Sequence, residues 1–333
     1  MKHVLVTGAS GFTGSALANE LANRGNHVRA LVRKTSDLSL LSADHIDGGS
    51  IELVYGDLRS ETDINSAMAG VEDVYHIAAL YREAKHRDQV YWDVNVEGTR
   101  RILDAANRHN VRRTLHCSTI GVHGGVDQIP SNEDSPFTPG DVYQDTKLEG
   151  ERLARQAIEK GQPVSIVRPA GIYGPGDLRF LKLFSMIKSG RFIMFGSGQT
   201  YLHLVYISDL VNGMIQTVEH PAGLGKTLIL AGREYVSLNE LVALVSAATR
   251  RDSPPRIRLP LWPLMLAADL CEGICRPLGI EPPLHRRRAA FFTKNRAFSI
   301  ERAASEIGYQ PQVDLKTGLH RTAEWYRQHN LLA

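Results

Sequence analysis

The feature that most constrains the fold is a glycine-rich stretch, VTGASGFTG, directly after the first apolar run of the chain. Gly8, Gly11 and Gly14 punctuate it. A strand that ends in such a turn and leads into a helix lets the backbone approach a pyrophosphate, which the helix N-terminus attracts. The GxxGxxG spacing is one residue wider than the GxGxxG fingerprint, but the physical requirement is the same. We therefore predict a dinucleotide site at the end of the first strand.

Short apolar runs alternate with helical patterns through the first half of the chain. This alternation is typical of right-handed βαβ units whose parallel sheet is covered on both faces. It predicts an α/β chain with a Rossmann-type, doubly wound parallel sheet. The predicted strands cover residues 3–8, 26–33, 51–57, 73–78, 113–119 and 164–169, and the predicted helices cover 15–25, 61–70 and 95–110.

After about residue 175 the alternation loosens, and glycine and proline interrupt the apolar pattern. Four prolines stand in the stretch 251–263 alone. We predict a dinucleotide-binding Rossmann domain over residues 1–175, with core strands that return after residue 200. Residues 176–333 are then mainly a smaller, irregular, substrate-binding region.

Composition narrows the classes of function. The chain has 333 residues with 39 basic and 36 acidic side chains, a formal net charge of +3, which is too balanced to favour nucleic acid as a partner. The three cysteines form neither a disulfide framework nor a metal-binding cluster. No apolar run is long enough to span a membrane, and the N-terminus is typical of a strand rather than a signal peptide. We expect a cytoplasmic protein without a metal site.

Tyr143 and Lys147 stand four residues apart in DVYQDTKLEGE, a spacing that places two side chains on one face of a helix. A free phenol has a pKa of roughly 10 and is a poor base at neutral pH. A cation one helical turn away favours the phenolate and lowers the pKa, so that the phenol can exchange a proton with a substrate hydroxyl or carbonyl. Such a pair is common on exposed helices, but beside a dinucleotide signal it indicates a catalytic site.

The end of the second predicted strand bears on the choice of cofactor. The dinucleotide fingerprint places an acidic residue there to bind the ribose 2′-hydroxyl of NAD. In this chain Val32 occupies that place, followed by Arg33 and Lys34. No carboxylate is available to repel a 2′-phosphate, and a guanidinium can bind one. The sequence therefore favours NADP over NAD, with a solvated Arg33 that contacts no cofactor as the alternative.

Seven motifs together resemble, in chain order, those of the extended short-chain dehydrogenase/reductase superfamily. They are VTGASGFTG, GDL (56–58), HIAA (76–79), DVNVEGT (93–99), CSTIGVHG (117–124), YQDTK (143–147) and RPAGIYGPG (168–176). The resemblance covers nearly the whole chain and departs at Thr13, where the family often has Ile or Val, and at Val32. It implies that Tyr143 is the acid/base, that Lys147 modulates it, and that Thr119 hydrogen-bonds the substrate oxygen.

The same resemblance implies the remaining site residues. Asn95 would brace the active-site strands. The substrate would meet Tyr81, Ser118, Thr119 and Gly171. The cofactor would meet Gly8, Ser10, Gly11, Phe12, Thr13, Gly14, Arg33, Asp57, Leu58, Ala78, Ala79, Tyr143, Lys147, Pro169 and Ile172.

Three classes of reaction in this superfamily use such a site. Its sugar dehydratases carry an Asp-Glu pair after the hydroxyl residue, whereas Ile120 follows Thr119 here. Its nucleotide-sugar epimerases commonly place an Asn where Gly171 stands and an arginine where this chain has His203 and Leu204. Both substitutions remove polar anchors for a diphosphate, but neither is decisive, because Arg179, Lys182 or Lys188 can compensate. The C-terminal third instead resembles the 3β-hydroxysteroid dehydrogenase branch, which includes sterol-4α-carboxylate 3-dehydrogenases.

The leading hypothesis is an NAD(P)-dependent oxidoreductase that interconverts a secondary alcohol and a ketone on an apolar, steroid-like substrate. If a carboxyl group stands beside the new ketone, the β-keto acid can lose CO2 without a further catalytic residue. The alternatives are a nucleotide-sugar 4-epimerase and a non-catalytic NAD(P)-sensing regulator. Family members are commonly dimers, so we expect a homodimer.

One segment near the C-terminus carries a separate hypothesis. Trp262 to Arg276 can form a helix with Leu266, Leu270 and Ile274 on one face. Such a helix could be a lid over an apolar substrate, a patch on a membrane surface, or an ordinary core-facing helix. The basic run HRRR (285–288) could contact anionic headgroups or form a solvated face.

Overall fold

The structure is a computed structural model that describes residues 1–81, 87–251, 253–255, 257–275 and 286–332. The strands are β1 (His3–Thr7), β2 (His27–Val32), β3 (Ile51–Tyr55), β4 (Asp73–His76), β5 (Arg113–Cys117), β6 (Val164–Pro169), β7 (Gly171–Tyr173), β8 (Met194–Phe195), β9 (Tyr201–Tyr206), β10 (Thr227–Leu230), β11 (Tyr235–Ser237) and β12 (Arg258–Leu259). The α-helices are α1 (Phe12–Asn23), α2 (Ala43–Asp47), α3 (Glu61–Met68), α4 (Asp88–Trp92), α5 (Gly98–Arg108), α6 (Val142–Glu159), α7 (Leu181–Lys188), α8 (Ile207–Glu219), α9 (Leu238–Ala248), α10 (Leu261–Cys275), α11 (Arg286–Thr293), α12 (Glu301–Ile307) and α13 (Leu315–Gln328).

A seven-stranded sheet forms the centre of the fold, in the order β10-β6-β5-β4-β1-β2-β3. All neighbouring strands in it run parallel. The inner strands are almost wholly buried, as a sheet with helices on both faces requires. The predicted Rossmann-type α/β fold is confirmed. Because the strands are parallel, their carboxyl ends meet at one edge, where ligands of such sheets bind.

The region after residue 175 adds two small sheets and most of the later helices. One sheet has the order β11-β9-β7, and the other pairs β12 with β8. Strand β10 returns to the edge of the central sheet beside β6. The division of the chain at residue 175 remains a prediction.

Two predicted helices differ from the observed ones near the site. Helix α1 begins at Phe12 rather than at residue 15, because the chain enters the helix directly from Gly11, its N-cap. The predicted helix 95–110 is divided: residues Asp93–Glu97 form a π-helical turn, and α5 follows from Gly98. Such π-turns are rare and frequently stand at functional sites, and this one contains Asn95.

A buried ion pair fixes α6 against the sheet. Arg168 of β6 and Glu151 of α6 are both fully buried, and their side chains meet at 2.6 Å (Nη2 to Oε1) and 3.0 Å (Nε to Oε2). Ser118 Oγ donates to Glu151 Oε2 at 2.7 Å. Burial alone would raise the pKa of Glu151, but the hydrogen bond and charge of Arg168, helped by Ser118, hold it below its usual value. The carboxylate is therefore ionised in the folded protein at neutral pH.

We expect Arg168→Met to lower the free energy of unfolding by about 3–5 kcal/mol, because it leaves a buried carboxylate without its main partner. The exposed pair formed by Arg152 and Glu149 on the same helix is the matched control. Arg152→Met should cost under about 1 kcal/mol. Equilibrium urea unfolding followed by circular dichroism measures both, and equal losses for the two variants would contradict this account.

Candidate active site

A cleft of about 1230 Å³ runs along the carboxyl edge of the central sheet. Every residue that the sequence predicts to contact cofactor or substrate lines it. The sequence therefore identified residues that the fold brings into one space, although they come from distant parts of the chain. Their individual roles remain predictions.

The glycine turn at the start of the cleft leaves no room for side chains. Gly8 has a φ of 71°, and a Cβ on it would lie 2.7 Å from Ala78 Cα. A Cβ on Gly14 would lie 2.1 Å from the Gly8 carbonyl oxygen. Helix α1 starts within this turn, carries no acidic residue in its first turn, and lines the cleft with its N-terminus. The turn thus fits the pyrophosphate of a dinucleotide, which needs close backbone approach and a helix N-terminus.

The ends of β2 and β3 form the part of the cleft predicted to hold the adenosine. Arg33 is exposed there, and Leu58 is buried. Asp57 accepts two hydrogen bonds from Arg59, at 3.0 and 2.8 Å, which hold the pKa of its carboxyl below the usual value. Arg59 was not predicted from the sequence. Its position directly after the GDL motif could have identified it.

His76, at the end of β4, connects Thr7 at the end of β1 to Thr99 of helix α5. Its Nδ1 lies 2.8 Å from Thr7 Oγ1 and its Nε2 lies 3.0 Å from Thr99 Oγ1. Thr99 already donates its hydroxyl proton to the Asn95 carbonyl, so it must accept from Nε2–H. Thr7 Oγ1 also accepts from Ala78 N–H. Burial lowers the pKa of His76 to about 3, so the imidazole is neutral; with its proton on Nε2, its Nδ1 accepts from the Thr7 hydroxyl.

Asn95 continues this network towards the catalytic helix. Its side-chain amide accepts from Leu80 N at 2.7 Å and donates to Leu80 O at 3.2 Å and to Thr146 Oγ1 at 3.0 Å. Thr146 is the neighbour of Lys147. Asn95 therefore connects the segment after β4 to helix α6, the kind of bracing that the family resemblance implies.

Helix α6 presents Tyr143 and Lys147 to the cleft. It begins after Asp141, whose side chain caps it by accepting from Gln144 N at 2.9 Å. Lys147 is buried, and its Nζ donates to the Cys117 carbonyl at 2.6 Å. Burial lowers the pKa of this ammonium group. The ring of Tyr143 packs edge-on against Tyr81, with the ring centroids 4.9 Å apart.

The hydroxyl residues at the end of β5 face two different environments. Thr119 caps a short 3-10 helix, and its Oγ1 accepts from Gly121 N at 3.0 Å. Its own proton is therefore available to a ligand in the cleft. The Ser118 hydroxyl proton points at Glu151 instead. A Cβ on Gly171, at the start of β7, would lie 2.6 Å from Leu204 Cδ2, so a larger residue there would have to displace the Leu204 side chain.

The same cleft is also lined by a set of apolar residues, which we call the apolar lobe. Apart from Ile172, which was predicted as a cofactor contact, these wall residues were not predicted from the sequence, because they come from segments that meet only in the folded chain. Arg179 lies at its border, bonded to Asp177 Oδ1 at 2.5 Å and to the Ile172 carbonyl at 2.9 Å. The apolar lobe is lined by Ile172, Phe180, Leu183, Met186, Phe192, Ile193, Phe195, Leu202, Leu204, Leu264, Phe291 and Phe292.

Helix α10 contributes both to the cleft and to the exposed surface. Leu264 lines the cleft, whereas a stripe along the helix is open: Trp262, Leu266, Leu270 and Ile274 are 67%, 52%, 58% and 63% exposed. These four side chains are therefore exposed and do not pack into the core, as one of the three alternatives for this helix required. Arg276 and His285, which belonged to the predicted helix and basic run, lie outside the described residues.

The described residues contain neither a metal-binding cluster nor a membrane-spanning helix. In those ranges no group of three or more His, Cys, Asp or Glu side chains is placed to hold a metal ion. Among the helices described, none combines the length and apolarity needed to cross a membrane.

Comparison with known proteins places the chain among its relatives. Residues 4–232 match the NAD dependent epimerase/dehydratase family. The chain belongs to this family. Both the glycine turn and the helix with Tyr143 and Lys147 lie within the matched residues.

This family member is similar to proteins of the predicted branch. It is 43% identical to sterol demethylase protein B of Methylococcus capsulatus over 289 residues, covering 85% of this chain and 82% of the relative. It is 29% identical to a 3-beta-hydroxysteroid dehydrogenase of Mycolicibacterium neoaurum, covering 97% and 91%. The crystal structure of gox2253 matches all of both chains with a TM-score of 0.84 and 31% identity. The predicted superfamily and its 3β-hydroxysteroid dehydrogenase branch are confirmed.

Proposed function

We propose that the protein oxidises a secondary alcohol on a large apolar, sterol-like substrate, or reduces the corresponding ketone. The observation that carries the proposal is that the apolar lobe lines the same cleft as Thr119, Tyr143 and Lys147. A sterol skeleton buries several hundred Å² of apolar surface in such a space, and its hydroxyl can still reach the polar residues. The names of both relatives support a steroid substrate.

The proposed chemistry needs few protein groups. A bound nicotinamide supplies or accepts the hydride. Thr119 donates a hydrogen bond to the substrate oxygen, because its own lone pair already accepts from Gly121 N. Tyr143 takes the hydroxyl proton in the oxidative direction and returns it in reduction. Lys147 stabilises the phenolate by its charge.

A carboxyl group beside the new ketone would extend the reaction. In a β-keto acid the bond to the carboxyl carbon breaks, its electrons form the enolate, and CO2 leaves. The enolate oxygen then occupies the place of the original hydroxyl, where Thr119 and protonated Tyr143 can donate to it. The α-carbon is finally protonated by solvent or by a group that received a proton earlier. No further catalytic residue is required.

Replacing the phenol tests the reaction. We expect Tyr143→Phe to lower kcat by about 10²–10⁴-fold, since general acid–base catalysis contributes on that order. Oxidation of 3β-hydroxysteroids, with and without a 4-carboxyl group, is followed at the nicotinamide absorbance. Tyr55→Phe, at an exposed tyrosine outside the cleft, is the control and should keep wild-type rates. Full activity of Tyr143→Phe would refute the proposed role.

A nucleotide-sugar 4-epimerase is the second candidate, favoured by the cations Arg179 and Lys182 in the cleft wall. Arg179 is partly neutralised by Asp177, which weakens it as a diphosphate anchor. The same assay distinguishes the two reactions. Inversion of a UDP- or dTDP-sugar without net change of cofactor, and no turnover of sterols, would replace our proposal with this one.

We propose NADP as the preferred cofactor. A nicotinamide dinucleotide follows from family membership, and the 2′-phosphate preference rests on Arg33. In the described structure Arg33 is exposed at the rim of the cleft, with Arg59 on the neighbouring loop. Both arginines line the part of the cleft that is predicted to hold the adenosine ribose. Strand β2 ends there with Val32 and supplies no carboxylate.

Removing the Arg33 charge tests this preference. We expect Arg33→Ala to weaken NADPH binding about 10-fold or more and to leave NADH binding within about twofold, because charge-assisted bonds to phosphate contribute roughly 1.5–3 kcal/mol. Equilibrium titration of cofactor fluorescence gives both dissociation constants. Lys34→Ala is the matched control. Equal weakening for the two cofactors would count against a 2′-phosphate site.

We further propose that the protein is cytoplasmic, works as a homodimer and rests on a membrane surface through α10. The exposed stripe of α10 is apolar over its whole length, and water-exposed stripes of this kind commonly mark interaction sites. The sequence also contains the basic run HRRR (285–288). Basic residues favour an anionic lipid surface as the partner.

Vesicle binding tests the membrane surface. We expect the double variant Leu266→Glu with Leu270→Glu to lower binding to phosphatidylglycerol-containing vesicles at least about 10-fold, since burying one leucine contributes roughly 1.5–3 kcal/mol. Leu224→Glu changes an exposed leucine on a separate loop and should bind as wild type. Co-sedimentation measures the bound fraction. Vesicle binding that survives the double substitution would exclude α10 as the contact.

A further inference from the structure

We infer that Gln144 recognises a carboxylate on the carbon next to the reacting one. This inference rests on the proposed function and assigns a specificity-determining residue to it. Gln144 directly follows Tyr143, is 4% exposed, and lines the cleft. The sequence reasoning did not single it out.

The orientation of the Gln144 carboxamide follows from its hydrogen bonds. Gly140 N lies 2.7 Å from Oε1, and a backbone N–H can only donate, so the oxygen must face Gly140. The NH2 group therefore faces the other way. Among the described residues none accepts a hydrogen bond from Nε2. Because Gln144 lines the cleft, an acceptor on a ligand there can take a hydrogen bond from this donor.

The position of Nε2 indicates which ligand atom it would meet. An ideal Cβ on Gly121 would lie 3.3 Å from Gln144 Nε2 and 3.2 Å from Thr119 Oγ1. Gln144 Nε2 and Thr119 Oγ1 therefore both lie next to the space that a side chain at position 121 would occupy. Because residue 121 is a glycine, this space is open. If Thr119 holds the oxygen of the reacting carbon, Nε2 lies within reach of a substituent on the adjacent carbon.

A neutral donor suits a carboxylate that has to leave. Pairing with a guanidinium would stabilise the carboxylate in the ground state, and stabilising the ground state alone does not accelerate a reaction. The amide orients the group without adding a full positive charge. Arg179 is already paired with Asp177, and Lys182 is exposed at the cleft wall, so neither competes for this position.

The test compares two alcohols that differ only in the carboxyl group, a 3β-hydroxysterol and its 4α-carboxylated form. Gln144→Glu keeps the oxygen that accepts from Gly140 N and replaces the donor NH2 by an anionic oxygen. We expect the ratio of kcat/KM for the carboxylated over the plain alcohol to fall at least about 10-fold, because a hydrogen bond to a charged group is lost and a repulsion is added. Gln144→Met, which lacks the donor without adding charge, should lower the ratio less.

Gln156→Glu makes the same chemical change at an exposed position of α6 and should leave the ratio as in wild type. Cofactor affinity, measured for each variant, shows that the site is folded. An equal fall of both kcat/KM values, or an unchanged ratio in Gln144→Glu, would overturn the inference while leaving the reaction intact. Turnover of neither alcohol by the wild type would instead overturn the proposed function, and the inference with it.

Discussion

The geometry of the site depends on one buried carboxylate, that of Glu151. A buried charge is tolerated only when it is paired and hydrogen-bonded. Two of its partners come from the sheet, Arg168 of β6 and Ser118 just after β5, and the third, Arg155, lies on the same helix. Ser118 directly precedes Thr119, and Glu151 lies one helical turn beyond Lys147. The same carboxylate therefore sets the position of the hydroxyl relative to the helix that carries the phenol and the ammonium. An apolar pair of similar volume could stabilise the fold equally well, but it would not fix this register.

The local pattern of apolar residues was sufficient to predict the central sheet. It failed for elements whose bounds depend on tertiary contacts. Strand β6 has the predicted bounds because its apolar run ends at a proline. The helix predicted over 95–110 is interrupted because Asn95, in the π-helical turn, bonds the backbone of Leu80. The motifs identified residues that line one cleft, since a motif preserves chemistry at fixed spacing. The apolar lobe was not predictable, because Leu264 and Phe291 meet Leu204 only after the last third of the chain has folded back.

Helix α10 joins two features that the sequence left separate. Its inner side supplies Leu264 to the apolar lobe, and its outer stripe is open to solvent. An apolar molecule with negligible solubility in water gains nothing from crossing an aqueous layer to reach an apolar space. A single helix between the lobe and a lipid surface removes that layer. The wall of the substrate space and the proposed membrane contact are then the same element, which explains an apolar helix with exposed leucines better than a role in core packing does.

How strongly Lys147 can change the chemistry of the Tyr143 phenol depends on the groups that surround the lysine. Of the titratable groups around Lys147, only Glu151, one helical turn away, is ionised at neutral pH. Burial keeps the others neutral: it lowers the pKa values of His76 and His116 and raises the pKa of Cys117 to about 11. A charge in such a low-dielectric environment is screened far less than one in water. In the proposed reaction, the ammonium would therefore act on the phenol more strongly than an exposed lysine at the same spacing, and the buried histidines would contribute by carrying no charge of their own.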